Sequence, residues 1–342
     1  MTITQSPGPA DASTPAKVDP ATVLVAIPTL NEEAHIEATL RDLLRGHDGA
    51  AFKIVVADGG STDRTRAIVE SLRAEIPTLH LLDNPDRLQS AAINRVVAEM
   101  AEPQHRILVR VDAHSHYPDR YVMDVAQSMV DHGAQGLATV MDSVGDSCFQ
   151  RGAAWAMETK LGSGNSAHRG GAQSGWVDHG HHAGFDLAMY RKIGGYDTGF
   201  VANEDAEFDH RVWQAGGRIW LDAGIRLGYV MRPSLRKLAL QYWRYGVGRA
   251  QTVAKHKIRP RLRQMIPPAV AVVNTLALVG ALFWAPLVLV PLAYVAILAA
   301  MTVRTLMDKR SLCALWVGPA LGVMHMVWGA GFLWQMRKAG KS

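Results

Sequence analysis

From residue 21 onward the apolar positions alternate between two spacings. Ala21–Ile27 is a β-branched run closed by Pro28, and Asn31–Leu44 then sets Ile36, Leu40, Leu43 and Leu44 on one helical face. Lys53–Ala57 repeats the strand pattern, and Ile68, Val69 and Leu72 follow at helical spacing. Leu79–Leu82 and Arg106–Val111 are further short strands, with a helix over Ser90–Met100 between them. Strands alternating with helices predict βαβ units, an α/β fold and a mainly parallel sheet. Ligands of such sheets bind beyond the carboxyl ends of the strands. The residues just after each strand are therefore the ones that can carry chemistry.

The pattern changes after about residue 230. Residues 266–303 carry no charge over 38 positions, and residues 311–334 carry none either. Each stretch reaches the ~20 residues that a membrane-embedded helix needs. Pro286 and Pro291 interrupt the first, which suits one long tilted helix, two short helices or a hairpin. The chain then divides into a flexible tail (1–20), an α/β domain (21–230), a basic amphipathic interfacial segment (231–263) and a transmembrane region of two or three segments (264–338). The tail holds four prolines and no apolar run, so it reads as neither a signal peptide nor an anchor.

Composition sharpens this division. With 342 residues, 48% of them hydrophobic and 20% charged, the chain is not a wholly disordered protein. Cys148 and Cys313 lie far apart in sequence and form no CxxC, so neither a disulfide framework nor a cysteine metal site is expected. The net charge of +5 is unevenly placed: no acidic residue occurs from Ala223 to Gln264, where 11 Lys and Arg fall. Trp243, Tyr242 and Tyr245 interleave with them. That mixture suits a helix at lipid headgroups. A nucleic-acid surface has the same charge, but the apolar stretch that follows and the lack of nucleic-acid motifs favour membrane lipid. Basic residues before the first span place the N-terminal domain on the cytoplasmic side of a plasma membrane.

Four strand ends or helix starts carry candidate chemistry. Pro28-Thr29-Leu30-Asn31-Glu32-Glu33 follows the first strand and also reads as a capping box of Thr29 with Glu32. Asp58-Gly59-Gly60-Ser61 follows the second, where glycines admit a close ligand and an aspartate accepts from a nucleoside, or simply caps a turn. Asp112-Ala113-His114 follows the fourth, and residues i and i+2 of an extended chain face one way, so both can reach one divalent cation. Asn203-Glu204-Asp205 opens a helix, where acids suit the dipole or supply a general base. The cluster Asp178, His179, His181, His182 lacks the ligand spacing of structural zinc sites. Gly162–Gly175 holds five glycines and reads as a mobile loop.

Taken in order, PTLNEE (28–33), DGGSTDRT (58–65), RVDAHSHYP (110–118), VDHGHHAGF (177–185), GGYDTGFVANEDAEFDHR (194–211) and QYWRY (241–245) resemble the family 2 glycosyltransferases of the GT-A fold. Within that family they resemble the ExoA group of succinoglycan-biosynthesis enzymes. The resemblance implies a UDP-sugar donor over the sheet edge and a polyprenyl-diphosphate-linked saccharide as acceptor. Pro28 and Glu32 would line the nucleoside pocket, Asp58 would hold the base, and Arg87 would meet the diphosphate. Asp112 and His114 would carry Mn²⁺ or Mg²⁺, with His114 replacing the second carboxylate of the commoner DxD. Asp205 would be the catalytic base of an inverting transfer, with Glu204 orienting substrate or base. Gln241 and Arg244 would help bind the donor, in a QxxRW-like motif with Tyr245 at the Trp position. His181 and His182 would face the acceptor. Other polysaccharide-assembly proteins are implied partners. Transfer to a simple polyprenyl phosphate, or a non-catalytic subunit of a polysaccharide assembly, are the alternatives.

Overall fold

The computed structural model describes residues 17–47, 51–164, 166, 169 and 173–340. The proline-rich tail, apart from its last four residues, and much of the glycine-rich stretch at 162–175 lie outside the described residues. The first half runs β1 (Val23–Thr29), α1 (Ile36–Leu44), β2 (Lys53–Asp58), α2 (Thr65–Arg73), β3 (Leu79–Asp83), α3 (Gln89–Glu99) and β4 (Ile107–Arg110). Then come β5 (Ser115–His116), α4 (Tyr121–His132), β6 (Gly136–Val144), α5 (Cys148–Glu158) and α6 (Lys160–Ser163). The domain closes with β7 (Gly175–Val177), β8 (His181–Asp186), α7 (Leu187–Lys192), α8 (Glu204–Gln214) and β9 (Ile219–Val230).

Among the described residues, one nine-stranded sheet runs in the order β3-β2-β1-β4-β8-β6-β9-β5, with β7 paired to β9. Its first four strands are parallel, as the alternation predicts. β8 then enters antiparallel to both β4 and β6. Apolar side chains pack on both faces, Val25 and Ile27 with Ile36 and Leu40 on one, Leu24 and Ala26 with Ile93 and Val96 on the other. Burial on both faces explains why these strands read as continuous apolar runs.

The first helix begins at Ile36 rather than Asn31, because the backbone before it is occupied elsewhere. Asn31 has φ +57° and donates its N–H to Ser61 Oγ at 2.8 Å. Glu32 N–H donates to Thr65 Oγ1 (2.8 Å) and Glu33 N–H to Asp63 (3.1 Å), while Arg64 N–H donates back to Glu33 (2.9 Å). The first two motifs are thus one knitted loop pair, and the Thr29–Glu32 capping box does not form.

After β9 come α9 (Leu235–His256), α10 (Leu262–Gly280), a short 3₁₀ turn at Ala285–Val288, α11 (Leu289–Lys309) and α12 (Val317–Ala339). The first uncharged stretch is therefore a helical pair broken at residues 281–288. Three helical segments, Leu262–Gly280, Ala285–Lys309 and Leu312–Ala339, are long and apolar enough to cross a membrane. α11 leaves Leu289, Val295, Ile297 and Met307 exposed. The basic segment does not lie free on a surface. α9 buries Leu238 and Tyr242 in the main core and crosses α12 at glycines. A Cβ on Gly246 would meet the Trp328 carbonyl at 2.1 Å, and one on Gly331 would meet the Trp243 carbonyl at 2.6 Å.

Cys148 and Cys313 form a disulfide, contrary to the expectation from their separation in sequence. The start of α5 packs on the turn that leads into α12, with Gly152 against the Cys313 carbonyl. Separation of 165 positions along the chain says nothing about distance once two elements share an interface.

Candidate active site

β4 delivers Arg110 and then Asp112 at the sheet edge. The Asp112 backbone N–H donates to the Tyr117 hydroxyl at 2.7 Å, which fixes the turn. Gln89 Nε2, at the start of α3, donates to Asp112 Oδ1 at 3.0 Å. Opposite stands the first turn of α8. Asn203, at φ +62°, donates from Nδ2 to the Tyr245 carbonyl at 2.6 Å, tying that turn to α9. Glu204 and Asp205 then face β4.

Arg110 joins the two sides. Its side chain is 5% exposed, and its Nη1 donates to Asp205 Oδ1 at 2.6 Å. Its Nη2 is 3.4 Å from Asp112 Oδ1 and 4.0 Å from Glu204 Oε1. The Tyr196 hydroxyl donates to the same Asp205 oxygen at 2.6 Å. Burying a guanidinium is tolerable when carboxylates surround it. Burial pushes the Asp112 carboxyl up, but Arg110, His181 and His114 outweigh it and hold Asp112 well below the usual carboxylate range. Glu204 is pushed up to about 7 by burial and by the Asp205 charge. Sequence reasoning missed Arg110, Tyr196 and Gln89. The signal available for Arg110 was a single charge inside the apolar run RILVRV.

Asp112, His114, His181, Glu204, Asp205, Gln241 and Arg244 line one cavity of about 1060 Å³. His114 Nδ1 lies 3.1 Å from Glu32 Oε1, a contact that draws Glu32 towards the same centre and raises the His114 pKa. Gln241 Nε2 donates to the hydroxyls of Tyr229 (2.7 Å) and Tyr245 (2.9 Å). Pro28, Asp58 and Arg87 sit further along the same sheet edge, outside this cavity. Pro28 pairs in register with Ala57. Arg87, at φ +57°, lies across the turn at Gly60, where a Cβ would stand 3.6 Å from its Nη2.

Two of the expected site residues, Asp58 and His182, are buried and hydrogen-bonded within the protein. Asp58 is fully buried; it accepts from the N–H groups of Gly60 and Ser61 (3.0 Å each), from Ser61 Oγ (2.5 Å) and from Arg66 (3.1 Å). These bonds shape the loop after β2 around its carboxylate. His182 is also fully buried, with its ring stacked on Phe185 and its Nε2 bonded to Asp209. Successive residues of β8 point to opposite sides, so His181 faces Asp112 and His182 faces the core. Asp209 is shared with His179 Nδ1 at 2.6 Å. The histidines of the HxHH run therefore serve different partners.

A divalent cation fits part of this donor set. Asp112 Oδ2 and His181 Nε2 stand 3.6 Å apart, with side chains 13% exposed. Burial keeps the His181 imidazole neutral, its pKa pushed down to about 4. Two ligands of one small cation at ~2.1 Å each stand roughly 3–3.5 Å apart. No three His, Cys, Asp or Glu side chains among the described residues are arranged to chelate a metal. A cation here would rest on Asp112, an imidazole and oxygens of a bound diphosphate, which is how Mg²⁺-type sites usually complete their shell.

A mixed sheet whose acidic strand end faces an acidic helix start is the setting of this site, and residues 24–194 match the family model described as glycosyl transferase family 2. The chain belongs to that family and is a glycosyltransferase of GT-A-like fold. It is 42% identical to the succinoglycan biosynthesis protein ExoA of Rhizobium meliloti (strain 1021), over 90% of this chain and 93% of that protein. It is 22% identical, over 68% of this chain and 74% of the other, to a dolichyl N-acetyl-alpha-D-glucosaminyl phosphate 3-beta-D-2,3-diacetamido-2,3-dideoxy-beta-D-glucuronosyltransferase of Methanococcus voltae. Among solved structures, the mannosyltransferase PcManGT from Pyrobaculum calidifontis, in complex with GDP-Man and Mn²⁺, covers 95% of this chain and is itself covered to 90%, with a TM-score of 0.58 at 19% identity. That last likeness is one of fold.

Proposed function

We propose that the protein is a membrane-bound inverting transferase that moves a sugar from a UDP-sugar to a polyprenyl-diphosphate-linked saccharide, in assembly of a succinoglycan-like exopolysaccharide. Glucose is the first donor sugar to test. The observation that carries the reading is the cavity that holds Asp112, Glu204 and Asp205 around Arg110 and is also walled by Pro267, Met324 and Trp328 of the apolar helices. The similarity to ExoA supports the pathway, and the Methanococcus relative's name describes a lipid-linked sugar acceptor.

Pro28, Glu32 and Arg87 receive the nucleotide at the ends of β1 to β3, and Gln241 and Arg244 close over it from α9. Asp112, with His114 or His181 as the imidazole, would hold Mn²⁺ or Mg²⁺, which when bound would offset the charge building on the leaving diphosphate. Asp205 is the base. Its Oδ1 is held by Arg110 and Tyr196, which leaves Oδ2 to take the acceptor hydroxyl proton as that oxygen attacks the anomeric carbon and UDP departs from the opposite face. A positioned base contributes ~10²–10⁴-fold. Glu204 orients the acceptor, and His181 lies on the acceptor side of Asp112. The catalytic domain faces the cytoplasm, anchored by three crossings in the plasma membrane.

The test is incubation of purified protein with a panel of UDP-sugars, Mn²⁺ and a bacterial lipid extract, with the glycolipid identified by mass. A new diphosphate-linked glycolipid, formed from one UDP-sugar, is the expected result. A product retaining only one phosphate would instead assign transfer to a polyprenyl phosphate.

A further inference from the structure

The cavity has a second pole that the transfer chemistry does not use. Arg249 of α9, Arg259 and Arg261 of the connecting segment, and Arg263 in the first turn of α10 line it. Arg261 pairs with Asp178 at 2.5 Å. The Arg249 guanidinium is pushed down to about 10, by burial first and then by Arg263 and Arg261, against the pull of Asp209.

Like charges gathered at one wall repel, and their placement worsens this. Arg261 and Arg263 stand at the N-terminal end of α10, whose first turn holds no acidic residue. That end already carries the positive pole of the helix dipole, where cations are disfavoured and anions favoured. Immediately beyond, the cavity wall turns apolar at Pro267, Met324 and Trp328, on the two helices that run into the membrane region. A polyanionic headgroup joined to a hydrocarbon chain matches both halves.

We propose that Arg249, Arg259, Arg261 and Arg263 seat the diphosphate of the lipid-linked acceptor, with the first part of its polyprenyl chain along Pro267, Met324 and Trp328. This rests on the transferase reading of the same cavity. It places the lipid end of the acceptor at the α9–α10 junction and its sugar end towards Asp205. The arginines then determine which acceptors bind, since a neutral glycolipid lacks the charge that offsets their repulsion.

The experiment uses the full-length protein in detergent, with UDP and Mn²⁺ saturating the donor site, and titrates farnesyl diphosphate as the probe, with farnesol as the uncharged control. Wild type should bind the diphosphate well and farnesol poorly. Arg249→Gln combined with Arg263→Gln should raise the Kd for farnesyl diphosphate at least about tenfold, since removing even one charge-assisted hydrogen bond has an effect of that size. UDP affinity should stay at the wild-type value, and Arg249→Lys with Arg263→Lys should restore part of the binding. The exposed Arg259→Gln alone should weaken binding by a smaller factor, which keeps the test open if the double variant does not fold. Unchanged farnesyl diphosphate affinity in these variants overturns the seat. So does a loss confined to phosphatidylglycerol vesicles with farnesyl diphosphate binding intact, which would make the cluster a lipid-surface contact. If wild type transfers sugar and the double variant keeps its acceptor KM, the seat falls and the transferase reading stands. If wild type transfers nothing yet binds the diphosphate through these arginines, the seat stands and the transferase reading falls.

Discussion

The Arg110 guanidinium donates to the Asp205 carboxylate at 2.6 Å and bridges 95 positions of sequence. It ties the end of β4 to the start of α8, the two segments that carry the acidic motifs. A buried cation surrounded by Asp112, Glu204 and Asp205 is what lets three carboxylates share one cavity wall.

Removing that cation should therefore be costly. Arg110→Gln leaves the acids without their counter-charge, and breaking a buried ion network costs about 3–5 kcal/mol. Urea unfolding of the detergent-solubilised protein should show a midpoint well below wild type. The exposed Arg41→Gln, whose partners Glu37 and Glu75 are also exposed, should cost under about 1 kcal/mol. Equal midpoints for Arg110→Gln and wild type would mean that the bridge does not hold the two segments together.

Glu204 makes stability depend on pH. Its carboxyl is raised from 4.5 to about 7, by burial first and the Asp205 charge second. Between those values the folded state keeps a proton that the unfolded chain has released. Stability from this group is present at low pH and lost as pH rises towards about 7, by roughly 3 kcal/mol at most. Unfolding at pH 5 and pH 8 should show the decline in wild type and a shallower one in Glu204→Gln. Identical slopes would refute the assignment.

Asp205→Asn and Asp112→Asn should fail in different ways. The first removes the proposed base and should lower kcat by ~10²–10⁴ with UDP affinity retained. The second removes the carboxylate proposed to hold the metal and should weaken Mn²⁺-dependent UDP binding as well as turnover. Calorimetric titration of UDP with and without Mn²⁺ separates the two.

The α9–α12 crossing predicts a steric effect. Gly246→Ala puts a methyl 2.1 Å from the Trp328 carbonyl, whereas a Cβ on Gly175 meets nothing within 4 Å. Overpacking of this kind costs about 1–3 kcal/mol. Thermal unfolding should fall for Gly246→Ala and hold for Gly175→Ala; equal values would mean the helices do not cross at these glycines.

Much of this site is legible in the sequence because its chemistry sits at strand ends, where short motifs survive as local patterns. Asp112, Glu204 and Asp205 share a cavity, while Asp58, expected beside them, lies outside it. The misses have physical causes. Arg110 reads like one more edge charge, because sequence alone does not reveal that a strand residue will be enclosed by acids from a distant helix. His181 and His182 read alike as neighbours in one motif, although adjacent strand residues face opposite sides. Asp58 reads as a ligand by its motif, while its bonds to Gly60, Ser61 and Arg66 are a property of the folded loop. The Cys148–Cys313 bond depends on α5 meeting the turn before α12, which no local pattern encodes.

The proposed transfer of sugar onto a lipid-diphosphate-linked saccharide in this cavity is the chemistry on which the activity predictions depend. The direct measurement supplies radiolabelled UDP-glucose, with other labelled UDP-sugars in parallel, Mn²⁺ and a polyprenyl-diphosphate saccharide to the purified protein and follows label into the lipid phase. Wild type should transfer label from one of these donors, with a product one sugar heavier, and Asp205→Asn should not. No transfer from any donor, or undiminished transfer by Asp205→Asn, would contradict it.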